Sequence, residues 1–330
     1  MKVSVVMPVT DAHKMALKKA APSAEFTFGK DETALKEADV IIGNIAPQKV
    51  KTLTKLRFLQ LNSAGANTYC EPGILPDGVA LTNATGAYGI AISEHILATV
   101  LFLMKRLPTY YDQGKAHRWE DAGPVNTLCG STVAVIGFGD IGRHFGRIAK
   151  AMGAHVIGVR RRSSDLVPEA DEMGTFALLG DILSRADVVV SCLPDTPATQ
   201  GLYTETRFLE MKEGALFVNI GRGNAVDQDA LKKALQSGHL AGAAIDVATP
   251  EPLPESDPLW EAPNLLVTPH VSGGYHAQST WDAIIAISCR NLAHFIKGNP
   301  SKMLSTGRRV IANRCHFLGF SCKIADQSMI

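Results

Sequence analysis

Residues 131–152 read STVAVIGFGDIGRHFGRIAKAM. An apolar run, Thr132–Ile136, enters a glycine turn and leaves it as a stretch with apolar residues at helical spacing. The glycines fit the pattern G-x-G-x-x-G. Gly137 permits the tight turn, Gly139 lets backbone approach a pyrophosphate, and Gly142 lets the helix pack on the strand. Asp140 and Ile141 open the helix, whose unpaired N–H groups and dipole favour phosphate. The motif alone is weak. Between an apolar strand and a helix it predicts a dinucleotide-binding α/β domain.

The following strand bears on which dinucleotide. Residues 155–164 read HVIGVRRRSS. Where such a strand ends, an Asp or Glu would accept from the 2′-hydroxyl of the adenosine ribose of NAD. Arg160 stands at about that position, followed by Arg161 and Arg162 and by Ser163 and Ser164. An acid would repel a 2′-phosphate, whereas a guanidinium offers it paired donors and a serine hydroxyl adds another. The stretch predicts NADP(H), with NAD(H) as the weaker cofactor. The alternative is a solvated basic turn.

Outward from this unit the α/β pattern continues. Strand-like runs at Asp187–Cys192, Ala215–Ile220, Ala241–Val247 and Asn264–Thr268 are apolar enough for a parallel sheet covered on both faces. The first hundred residues alternate in the same way, with strand-like KVSVVMPV (2–9), ADVIIGN (38–44) and RFLQLNSAG (57–65). Residues 91–107 read as one long buried helix in which Glu94 and His95 are a polar start, and 277–297 as an amphipathic helix. After Pro300 no period persists, so that segment is assigned to neither domain.

The 33 Lys and Arg against 32 Asp and Glu argue against a general nucleic-acid or acidic-membrane surface. The longest apolar run in a helical context, Ile96–Met104, is too short to span a bilayer, and the N-terminus does not read as a signal peptide. Six cysteines without CxxC spacing suggest free thiols in a reducing cytoplasm and no metal site.

Three stretches carry reactive groups at strand ends. NIGRGNAVD (219–227) holds Arg222, AIDVATPEPLPESDPLW (244–260) holds Asp246 and Glu251, and LLVTPHVSGG (265–274) holds His270. In open α/β sheets that edge binds ligands. An arginine can bind and polarise a 2-keto acid, a histidine can protonate the developing alkoxide, and a carboxylate beside the histidine favours its protonated form.

In their order and spacing, GFGDIG, NIGRG, DVATPEP and TPHVSGG resemble the D-isomer-specific 2-hydroxyacid dehydrogenase family, which includes glyoxylate/hydroxypyruvate reductases. The resemblance covers about residues 1–300. It implies two similar doubly wound parallel-sheet α/β domains, a Rossmann cofactor domain inserted in a flavodoxin-like substrate domain. On this chain they would be 1–98 with 275–300 and 99–274, leaving 301–330 as a tail. It implies Arg222, Glu251 and His270 as the catalytic trio, Asp246 as the partner of the nicotinamide carboxamide, and Cys192, Pro194 and Gly273 as cofactor contacts. Backbone N–H groups of Ala64, Gly65 and Ala66 would grip the substrate carboxylate, with Tyr88 lining the pocket. A homodimer of a 2-keto acid reductase is the implied assembly.

The chain departs from the family where Gly65-Ala66-Asn67 lacks the usual acid, where Arg160 replaces an acidic residue, and where the tail lacks the usual return to the first domain. Tyr69, Tyr88 and Trp119 either favour a bulkier keto acid or are packing residues. Two rivals stay open. One is the same fold acting on formate, phosphite or phosphoglycerate; the other is a dinucleotide-sensing corepressor-like binding protein.

Overall fold

The computed structural model describes residues 1–161, 163–274 and 277–299, together with the backbone of 311–312. The described residues divide into two compact units, 1–88 with 277–299 and 311–312, and 89–274.

The first unit begins β1 (Lys2–Val5), α1 (Asp11–Ala20), β2 (Glu25–Phe28), α2 (Glu32–Glu37), β3 (Val40–Ile42), α3 (Pro47–Val50), β4 (Phe58–Gln60) and β5 (Ala80–Thr82). Helix α1 starts at Thr10, whose hydroxyl accepts from His13 N while the His13 ring accepts from Thr10 N, a capping box with imidazole in place of the usual carboxylate. Asp31 caps α2 by accepting from Thr33 N and Ala34 N. The five strands pair in parallel in the order β5-β4-β3-β1-β2. That is the flavodoxin-like order. β3 and β4 are buried at every residue, as a sheet covered on both faces requires.

The second unit runs α4 (Gly89–Met104), α5 (Leu107–Lys115), β6 (Thr132–Ile136), α6 (Asp140–Ala151), β7 (His155–Arg160), β8 (Glu172–Thr175), α7 (Leu179–Arg185), β9 (Val188–Ser191), α8 (Glu205–Leu209), β10 (Ala215–Asn219), α9 (Gln228–Gln236), β11 (Leu240–Ile245) and β12 (Leu265–Val267). Its seven parallel strands lie in the order β8-β7-β6-β9-β10-β11-β12. This is the doubly wound Rossmann order extended by one strand, and it reverses direction between β6 and β9. Tyr203, Phe208 and Phe217 pack edge-on and stacked in its core.

The chain then returns to the first unit as α10 (Gln278–Ile296) and β13 (Ile311–Ala312). β13 pairs antiparallel with β5, so two residues of the segment thought to lack a return do rejoin the first unit. Left alone, β5 would present a row of unpaired backbone groups at the sheet edge.

Two boundaries differ from expectation. The chain changes unit at Tyr88 and Gly89, not at 98 and 99, because α4 packs with the second unit from its first residue. A Cβ on Gly89 would stand 2.4 Å from Nδ1 of His144 on α6. The helix expected over 91–107 also ends at Met104, and Arg106 turns left-handed at φ 52° before α5. Pro108 explains the break, since it has no N–H to donate and disfavours helical backbone just before it.

A buried polar cluster ties α10 to the first sheet. Gln60 Oε1 accepts from Thr82 Oγ1 at 2.6 Å and from Asn291 Nδ2 at 2.7 Å, while its Nε2 donates to Leu61 O at 2.8 Å. All three side chains belong to buried residues. Gln60→Leu strands both donors, at about 1–3 kcal/mol for each lost partner. Urea unfolding should therefore show a loss of at least about 2 kcal/mol, and a loss well below 1 kcal/mol would mean the cluster does not hold the helix.

Candidate active site

The glycine turn between β6 and α6 is shaped by close approach. Gly137 has φ 95°, and a Cβ there would lie 2.8 Å from the Cys192 carbonyl oxygen after β9. Gly142 backs onto the turn itself, its would-be Cβ 2.7 Å from Gly137 O. Gly139 differs, because a Cβ there would meet no protein atom within 4 Å. No protein atom crowds position 139, and a pyrophosphate approaching the start of α6, with Asp140 and Ile141 as its first residues, would use that open space. The cradle fits a dinucleotide.

Arg160 ends β7 and its Nε donates to Phe138 O at 3.0 Å, which docks the guanidinium beside the glycine turn. Arg161 is half-buried next to it, and Arg162 lies outside the described residues. The Ser163 hydroxyl donates to Asp165 at 2.8 Å, an acid the sequence reading did not use. Glu169 takes a two-pronged grip from Arg143 of α6, at 2.9 and 3.1 Å. That guanidinium holds the Glu169 carboxyl below the usual glutamate range and pins the loop after β7 to α6.

On the other side of the crossover, Cys192 and Pro194 follow β9. Burial pushes the Cys192 thiol up to about 12, so it shapes the wall and does not react. The Pro194 carbonyl accepts from Thr199 Oγ1 at 2.6 Å. Hydrogen bonds from Gln200 and Asn224, with the charge of Arg222 adding to them, hold the Asp195 carboxyl below its usual range.

The loops after β10, β11 and β12 carry the expected trio, and those strands are neighbours in the sheet. Arg222 follows β10, and its Nη1 donates to Gly221 O at 2.7 Å, leaving the other side of the planar fork for a carboxylate. A Cβ on Gly221 would stand 2.5 Å from Leu193 O, and one on Gly223 only 2.0 Å from Ala248 O. Arg222 is therefore flanked by glycines because its loop is pressed between its neighbours. Glu251 receives Ala248 N at 3.1 Å on Oε1 and His270 Nδ1 at 2.8 Å on Oε2. Since the carboxylate takes the Nδ1 proton, Nε2 is the nitrogen left for chemistry.

His270 has φ 53°, rare for a residue with a side chain and costing about 1–3 kcal/mol. Its N–H donates to Asp246 O at 2.8 Å and Thr268 O at 3.0 Å, which offsets that strain. Asp246, almost fully buried, accepts from Thr268 Oγ1 at 2.6 Å, Val271 N at 2.9 Å and Ser272 N at 3.0 Å. The sequence suggested a cofactor contact there. The structure shows a carboxylate that folds the loop of His270 and Gly273, with a second acceptor direction on Oδ2 to spare.

In the first unit, Ala64 and Gly65 are half-buried and Ala66 is buried, just after β4. Their loop is held by residues the sequence reading missed. Asn44 and Asn62 exchange side-chain and backbone bonds at 2.6 and 3.0 Å, and Asn83 Nδ2 donates to Ala64 O at 2.6 Å. Asparagines at the ends of three successive strands were the available signal. The hydroxyl of buried Tyr88 donates to Asn62 O and that of Tyr69 to Ile45 O, so both support loops instead of presenting a polar end. Trp119 is fully exposed, on a segment of the second unit without regular structure.

With this geometry in place, residues 97–272 match the model of the D-isomer specific 2-hydroxyacid dehydrogenase NAD-binding domain. The chain belongs to that family. Human glyoxylate reductase/hydroxypyruvate reductase is 33% identical over 74% of this chain and 75% of its own. A D-isomer specific 2-hydroxyacid dehydrogenase family protein from Aeromonas salmonicida superposes with a TM-score of 0.81 at 33% identity, covering 91% of this chain and 96% of its own. The NADPH-dependent glyoxylate/hydroxypyruvate reductase of Sinorhizobium meliloti, solved with NADP and sulfate, gives 0.76 at 28% identity over 91% and 96%. The protein is thus an oxidoreductase of the 2-hydroxyacid dehydrogenase class with a nicotinamide-dinucleotide-binding Rossmann domain. No helix among the described residues of this dehydrogenase is long and apolar enough to cross a membrane.

The two glycines of the turn can be separated experimentally. Gly139→Ala should change stability by less than about 1 kcal/mol yet weaken dinucleotide binding about tenfold. Gly142→Ala should cost about 1–3 kcal/mol by overpacking. Thermal melts and cofactor titration of both variants check this, and unchanged binding in Gly139→Ala would contradict the cradle.

Proposed function

We propose that the protein reduces a small 2-keto acid to the D-2-hydroxy acid and prefers NADPH to NADH. The observation that carries this reading is His270, after β12, held at 2.8 Å by Glu251, whose loop after β11 lies beside the one that carries Arg222. When bound, the dinucleotide supplies hydride to the carbonyl carbon. The chain's residues do the rest. Arg222 binds the substrate carboxylate and draws charge toward the carbonyl oxygen. Protonated His270 gives the Nε2 proton to the oxygen as negative charge builds there, and Glu251 fixes the ring and balances the imidazolium. Asp246 Oδ2 keeps room for a carboxamide N–H beside the loop it folds.

Support for NADPH comes from β7 ending in Arg160, docked by Phe138 O, where an acid would serve NAD. The S. meliloti relative is named as NADPH-dependent and was solved with NADP. Asp165 works against this preference unless Ser163 keeps it occupied. The substrate is glyoxylate- or hydroxypyruvate-like, or bulkier. Leu107, Tyr110, Tyr111, Trp119 and Val125 expose apolar surface along α5 and the segment after it, which supports a homodimer.

NADPH and NADH oxidation should be compared with hydroxypyruvate, glyoxylate and phenylpyruvate. We expect turnover with NADPH strongly preferred, and His270→Ala should lower kcat at least about a hundredfold. Arg160→Asp should reverse the cofactor preference while leaving kcat with NADH near its starting value. Tight NADPH binding without turnover on any of these acids would favour a sensing role instead. Light scattering should give twice the chain's mass, and a monomer at micromolar concentration would remove the dimer from the reading.

A further inference from the structure

His95 lies on the first turns of α4, half-buried, in a position that reads from sequence as a polar helix start. Its Nε2 is 3.4 Å from Thr268 Oγ1, across 173 residues of chain. The Thr268 hydroxyl has one proton, and it goes to Asp246 Oδ1 at 2.6 Å. The hydroxyl oxygen can then only accept from His95, so Nε2 carries the imidazole proton. Beyond Asp246 the same carboxylate receives Val271 N and Ser272 N, the two amides directly after His270. All of these residues lie within the second unit.

We propose that His95 is a positioning residue for His270. By donating to Thr268 it fixes the direction of the one proton that Thr268 gives to Asp246. Asp246 in turn holds the backbone on which His270 sits in its left-handed conformation. Without the imidazole N–H, the hydroxyl can turn away and Asp246 loses its shortest bond. The Val271 and Ser272 amides then lose part of their anchor, and the His270 ring loses its fixed aim. A displacement of about 1 Å at a reacting group can cost a hundredfold in rate, so a partial loosening should be visible in kcat.

This proposal rests on the assignment of His270 made above, and the test separates the two. His95→Leu removes the donor and keeps apolar bulk; His95→Gln returns an amide N–H near the place of Nε2. We expect kcat to fall about tenfold in His95→Leu with the KM for NADPH little changed, and to recover to within about twofold in His95→Gln. Combining His95→Leu with Thr268→Val should cost no more than the worse of the two singles, because both break one relay. Hydrogen exchange of the peptide spanning 265–274 gives a readout that needs no substrate. It should quicken severalfold at Val271 and Ser272 in His95→Leu and return toward the starting rate in His95→Gln. Should the wild type prove inactive on every keto acid, the functional reading fails while the exchange data still judge the relay. Unchanged kcat and exchange in His95→Leu would overturn it, as would a His95→Gln variant as impaired as His95→Leu, which would make ring volume the only contribution.

Discussion

Backbone pressed against backbone is the constraint from which the second unit's site follows. Four strand-end loops approach so closely that a single Cβ at Gly137, Gly221 or Gly223 would overlap a neighbouring main chain, at 2.8, 2.5 and 2.0 Å from a carbonyl oxygen. Contacts of that kind leave no room for adjustment, so the loops after β6, β9, β10 and β11 behave as one rigid rim. Arg222 and Glu251 project from that rim, and His270 joins it through Asp246. Precision at a reacting group comes from supports that cannot yield, and here the supports are largely main chain.

A second layer is polar, with Asp246 buried at its centre and the other side chains half-buried or exposed. Asp246 spends its acceptors on a loop, Glu251 divides its oxygens between a backbone amide and an imidazole, and Asn44, Asn62 and Asn83 stitch the loop after β4 in the first unit. In each case a side chain satisfies main-chain groups that strand ends leave unpaired. Around Asp246, the cost of leaving such groups unpaired in a buried place is what makes the arrangement single-valued.

Much of this was legible in the sequence. Apolar runs of five to seven residues marked six of the seven parallel strands of the second unit, and each of the six was found there. Strand-end placement put Arg222, Glu251 and His270 together, because in a doubly wound sheet all such ends share one edge. What escaped were features set by distance along the chain. β8 is a short edge strand, half-exposed and weakly patterned. The turn at Arg106 depends on Pro108 meeting a helix already committed to its own packing. His95 reads as an ordinary polar residue until Thr268 is folded against it.

The pairing of Gln60 with Asn291 joins residues 231 positions apart. On the ribosome the first unit is made first but lacks the helix that covers β4 until nearly the whole chain has emerged. At about 5–20 residues per second the delay is roughly 10–50 s. For that interval its sheet carries an apolar face and an open edge at β5, the features by which nascent chains misassociate. The inserted unit, contiguous in sequence, can fold during the wait. Vectorial synthesis therefore completes the dinucleotide-binding half before the half that precedes it, and the interval between the two is when this chain most needs a chaperone.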